Sequence, residues 1–216
     1  MSMKGLFKSF FTPEKETRVL EHPRDLQQND IIKFRFLPQT ELSNKQFQIS
    51  QINTYDYEDR KLTEFQLQGS NDEAIFFTVD ETDDVPFLAI TRKIQREMVE
   101  RLFDLDEFAN VFDDEGHTRL TRKTEPEALA NWTAEQYTQE IYAEVGYFHK
   151  GDYRNQEVPE AESEGDCFEN YLLIDDSRQF VIEAEVYEGG ETDILVSIRR
   201  PLTDIDEMWP AEASPK

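Results

Sequence analysis

Cysteine is almost absent from this chain: Cys167 stands alone, so no disulfide can close within the molecule, which suits a reducing compartment. Long apolar runs are missing as well. No stretch approaches the ~18 consecutive apolar residues that span a bilayer, and the first residues lack the apolar run and cleavage site of a secretory leader. The expectation is a soluble, cytoplasmic protein. Eight glycines in 216 residues build no P-loop, no Rossmann glycine pattern and no Gly-x-Ser-x-Gly elbow. The three histidines, His22, His117 and His149, are not spaced from one another or from Cys167 as metal ligands are. Positive charge is scarce: 23 basic side chains face 47 acidic ones, for a net charge of −24. Such a surface repels phosphate backbones and argues against nucleic-acid binding.

Aromatic residues are abundant. They make up 12% of the chain, with 16 phenylalanines, beside an apolar fraction of 38%. Large rings bury much area each, so this composition supports a folded core where a disordered chain would lack aromatics.

Charge is unevenly spread. Residues 1–18 carry four basic and two acidic side chains, a net +2, which leaves −26 for the rest. Between 157 and 193, thirteen acids meet Arg178 alone. Met3, Leu6, Phe7, Phe10 and Phe11 fall at helical spacing, with Lys4 and Lys8 beside the stripe. Leu6, Phe7, Phe10, Phe11, Lys4 and Lys8 are therefore the candidate partner or membrane contacts. Lysines near anionic lipid contribute about 1 kcal/mol each, although three turns are marginal as an isolated helix. Docking on the chain's own core, on a protein partner or on a membrane surface all remain open. Thr12-Pro13 ends the pattern, and 14–21 reads as a linker.

From Asp30 the period becomes two. Ile32, Phe34 and Phe36 alternate with Lys33 and Arg35, and strands follow around 47–55, 65–67, 75–79 and 87–90. The stripe Ile94, Met98, Val99 and Leu102 predicts a helix over 92–103. A hairpin is expected at 113–116, a returning strand over 117–122 and a short helix over 126–135 containing Trp132. Strands then recur over 137–147, 168–173, 180–186 and 195–202. The second half repeats the first in order: strand, turn, strand, acidic loop, strand, paired basic residues. Antiparallel meanders all share such a pattern, so a duplication is one reading of it and a generic meander the other. The expected fold is mainly β, of α+β type: two similar antiparallel units, as an internal duplication would give, around the central helix 92–103. The corresponding divisions are 1–18 (amphipathic segment and linker), 26–103, 104–205 and a tail, 206–216.

Tests for chemistry mostly fail. Acidic neighbours Glu164, Asp166 and Glu169 disfavour a thiolate at Cys167. The acidic stretches 80–84 and 113–116 lack the glycine and distal glutamate of an EF-hand. Carboxylate pairs can do acid–base work, but 47 acids produce pairs by chance, and solvated loops are the simpler reading. No catalytic, cofactor-binding or metal residue is assigned, and no cofactor is expected.

Residues 26–94 resemble an uncharacterised bacterial family, domain of unknown function 4178. The likeness lies in Leu26-x-x-x-Asp30-Ile31, in Phe47-x-Ile49-x-x-Ile52 with Tyr55, in Glu64-Phe65-x-Leu67 and in Ile75-Phe76-Phe77-Thr78-Val79. Asn29 replaces the glycine often found there, and a tryptophan before Glu64 is absent. The Phe-rich N-terminus and acidic middle are also similar to domain of unknown function 2491. Either resemblance implies a bacterial protein associated with membrane-stress coat proteins or polyamine-related genes, and transfers no site residues. The functional expectation is a non-enzymatic acidic binding or adaptor protein with a protein partner, peripheral either to a membrane-stress protein or to the membrane itself, the latter through residues 1–12. The alternative is a binder of, or enzyme on, a cationic small molecule such as a polyamine, using acidic loops. Oligomeric state is not read from the sequence.

Overall fold

A computed structural model describes residues 18–69, 74–81, 85–113, 117–159 and 165–211. Among the described residues eleven strands form one antiparallel sheet: β1 (Ile31–Phe34), β2 (Gln46–Tyr57), β3 (Lys61–Gln68), β4 (Ile75–Asp80), β5 (Phe87–Ile94), β6 (Arg119–Thr121), β7 (Gln136–His149), β8 (Asp166–Ile174), β9 (Phe180–Tyr187), β10 (Thr192–Pro201) and β11 (Ile205–Trp209). Eight of them, in the order β2-β3-β4-β5-β10-β9-β8-β7, close on themselves because β7 also pairs with β2.

The two longest strands make the seam. Residues 54–57 of β2 pair with 146–149 of β7. The first half of β2 pairs instead with β1, which carries β11, and the first part of β7 carries β6. Irregularities at Ser50 and at 140–143, with Ala143 at φ 50, let these strands bend between their two sets of neighbours. Gly146 sits at the seam for steric reasons: a Cβ there would lie 2.7 Å from the Phe168 ring and 2.9 Å from the Tyr57 ring.

The mainly β expectation holds, but the division into two α+β units around a central helix is corrected. The halves of the chain supply four consecutive strands each to a single barrel, joined through β5–β10 on one side and β2–β7 on the other. The helix expected over 92–103 is reduced to α1 (Arg96–Leu102), followed by α2 (Leu105–Ala109), which Asp104 caps through two backbone N–H groups. Arg92, Lys93 and Ile94 remain in β5 because Val196, Leu195 and Ile194 of β10 pair with them. A ladder of backbone bonds outweighs a helical stripe when the partner strand comes from a hundred residues away. The helix expected over 126–135 is a single 3-10 turn, Glu127–Leu129. Strand β11 runs into the stretch read as a tail.

The hydrophobic core lies outside the barrel wall. Phe65, Phe77, Leu88, Ile90, Ile182 and Val196 point outward and are almost wholly buried. The loop between β1 and β2, the two helices and the 120–133 segment cover them, through Leu42, Val99, Phe103, Val111, Leu129 and Trp132. A polar knot pins this cladding. Glu41 accepts from Arg92 Nη1 at 2.8 Å and from Trp132 Nε1 at 2.6 Å, while Arg92 also donates to the Ala128 carbonyl. Asp30, fully buried, ties Arg18 to the backbone N–H groups of Gln27 and Ala211.

Candidate functional site

The opposite face of the same strands lines the lumen. All eight barrel strands contribute residues to one cavity of about 400 Å³, alternate ones everywhere but at the irregular stretch of β7. Contacts across it confirm the inward direction: Tyr55 and Tyr57 of β2 meet Phe168 of β8 edge-on, at 5.7 and 5.9 Å between ring centroids.

The floor is acidic. Glu64 projects from β3 and Glu185 from β9, four strands away around the eight-strand ring. They are 7% and 5% exposed. Glu64 accepts from Asn53 Nδ2 at 2.8 Å and, at 3.5 Å, from the Tyr55 hydroxyl. Glu185 accepts from the Tyr187 hydroxyl at 2.8 Å and lies within reach of Tyr55. Desolvation pushes the Glu64 carboxyl up to about 7 and that of Glu185 up to about 8; their hydrogen bonds oppose this, and neighbouring carboxylates reinforce it. Glu183, midway up β9, is raised by burial and held down in part by the charges of Arg199 and Arg60. Burial raises Tyr55 and Tyr57 well above the ordinary phenol range, so both stay neutral donors. Asn170, beside Glu185 in register and 2% exposed, also lines the cavity, and its Oδ1 has no hydrogen-bond partner.

The mouth is different. Arg60 makes two bonds of 2.7 Å to Glu144 and covers the Tyr57 ring at 4.2 Å. Arg178 holds Glu140 through both its terminal nitrogens. Arg199 lies over the Phe87 ring at 4.6 Å. Between mouth and floor, Leu62, Leu172, Val181 and Leu195 give an apolar belt, interrupted by the Thr91–Ser197 hydroxyl pair and Glu183.

The candidate contacts Leu6, Phe7, Phe10, Phe11, Lys4 and Lys8 lie outside the described residues. So do 82–84 and 114–116 of the acidic loops. The loop 188–193 is a turn at Gly189 and Gly190, both at positive φ, with Asp193 paired to Lys93 at the end of the barrel where β5 and β10 meet. Of the loop acids singled out, Asp80, at the end of β4, reaches the cavity. His22 caps a 3-10 turn, and His149 ends β7, buried. Cys167 is half-buried on β8. Among the described residues no three His, Cys, Asp or Glu side chains come together as a metal site, and no helix is long and apolar enough to cross a membrane.

Sequence reasoning looked for function in acidic loops and missed Glu64, Glu183 and Glu185, which are strand residues. Their signal was present: each lies on the phase opposite an outward apolar neighbour, Phe65, Ile182 or Ala184. In an open sheet that phase faces solvent; closure of the barrel turned it inward. No family model, curated protein or solved structure matches the chain.

Proposed function

We propose that the barrel is a binding protein for a small organic cation, a polyamine-like amine, taken into the lumen and held by Glu64, Glu183 and Glu185. One observation carries this reading: the floor of the lumen presents opposed carboxylates and the orphaned Asn170 Oδ1, all acceptors, with no basic side chain among the groups that perturb Glu64 or Glu185. Burying carboxylates without a counter-charge costs several kcal/mol. A ligand that brings ammonium groups supplies both the missing charge and the missing donors. The aromatic walls at Tyr55, Tyr57 and Phe168 favour an organic cation further. A bare metal ion fits less well, because among the described residues no three His, Cys, Asp or Glu side chains come together to hold one. A cavity of about 400 Å³ is in the range of small-molecule sites. The adaptor role expected from residues 1–12 is the alternative to this reading, and those residues lie outside the described ones.

Titration calorimetry of the full chain with spermidine, putrescine and Mg²⁺ at pH 8 tests the proposal. The amines are expected to bind saturably, and the double variant Glu64→Gln, Glu185→Gln to weaken them at least about tenfold, or ~1.4 kcal/mol. Absence of saturable amine binding, or Mg²⁺ binding as tightly as the amines, overturns it.

A further inference from the structure

The lumen holds a second feature that a simple cation does not use. Arg199 lines the cavity above the acidic floor. Arg60 and Arg178, the other lumen arginines, are neutralised by bidentate carboxylates. Arg199 is not: its guanidinium lies over Phe87 and is near enough to Glu183 to influence it, yet among the described residues no acceptor is within ion-pair or hydrogen-bond distance. A guanidinium stacked on a ring with its N–H edge open is set up for a planar, bidentate acceptor.

Position turns this into a ligand class. The Arg199 backbone N–H donates to the carbonyl of Gln179, which immediately precedes β9 and lies six residues from Glu185. At about 3.3 Å per residue, reduced by the tilt of barrel strands, the Arg199 backbone stands about 15 Å above that of Glu185, and the reach of the two side chains shortens the gap between their charged ends to on the order of 10 Å. The wall between is largely apolar, with Leu62, Leu172, Val181 and Leu195 facing the lumen. An acceptor floor, an apolar belt and an open arginine therefore follow one another along the barrel axis.

We infer that the ligand is an extended zwitterion: an ammonium group seated among Glu64, Glu185 and Asn170, a hydrocarbon spacer along the leucine belt, and a carboxylate on Arg199. An α-amino acid, with both charges on one carbon, cannot reach both ends. An ω-amino acid of about eight carbons can. This inference rests on the cation-binding reading and adds the carboxylate anchor to it.

The discriminating experiment compares 8-aminooctanoate with octylamine, which shares the ammonium and the chain but lacks the carboxylate, by calorimetry on the full chain at pH 8. The zwitterion is expected to bind at least about tenfold more tightly. Arg199→Gln is expected to bring the ratio of the two affinities to about one, and Arg199→Lys to restore part of it. The wild-type ratio needs no variant, so it stands even if Arg199→Gln folds poorly. If octylamine binds within twofold of the zwitterion, the carboxylate anchor is overturned while the cation reading stands. If neither compound binds, both fall.

Discussion

The two faces of the barrel wall, made by the same strands, follow opposite rules. Outward from β3, β4 and β5 stand Phe65, Phe77 and Ile90, packed under a cladding of loops and helices. Inward from the same strands stand Glu64, Thr78 and Thr91, around a cavity. Stability therefore resides outside the barrel, and the interior is free to hold groups that cost stability. Small barrels of this strand number can fill their lumen with side chains or leave room for one ligand. Here the core moved outward and the second outcome followed.

Three measurements press on that contrast. The largest effect is expected on the outer face. Phe77→Ala removes a ring stacked on Phe65 at 4.8 Å, and urea denaturation should show a loss of about 3–5 kcal/mol. A loss below about 1 kcal/mol would place the core elsewhere.

On the inner face the expected sign reverses. Glu64 and Glu185 titrate near 7 and 8 in the folded protein, against about 4.3 when unfolded. Between these values the folded state binds more protons than the unfolded one. Their contribution is complete below the unfolded value and is lost as pH rises through the folded values. The ligand-free protein should weaken from pH 5 to pH 9, by on the order of 2–3 kcal/mol for Glu64 alone. Glu64→Gln should flatten that slope and stabilise the protein at pH 8. Stability that instead climbs with pH across this window would mean the floor carries a counter-charge of its own.

The smallest effect belongs to the rim. Arg178 and Glu140 are 54% and 41% exposed at their side chains, so Arg178→Ala should cost less than about 1 kcal/mol, and less still in high salt. A larger loss would make the mouth part of the fold's stability rather than a surface around an opening.

Much of the wall was legible residue by residue. Ile32 and Phe34, then Ile75, Phe77 and Val79, alternate as half-buried strands do, and each lies in a strand. Helical periodicity misled at Arg92, Lys93 and Ile94. A stripe of Ile94, Met98 and Leu102 suits a helix from its own neighbourhood, and Ile194 of a distant strand decided otherwise. The site was less legible than the fold. Glu183-Ala184-Glu185 reads locally as a strand with one wet face, and no local pattern says whether that face meets bulk water or a closed lumen.

The sequence alone determined the acidic balance, the predominance of strands and the phase of each strand, because those depend on composition and on a period of two. The tertiary structure decided closure. Pairing of 54–57 with 146–149 joins residues some ninety positions apart, a contact that alternation within either strand does not encode. That one seam turned a run of exposed-looking glutamates into the buried floor of a cavity, with their carboxyl protons held where water no longer stabilises the charge.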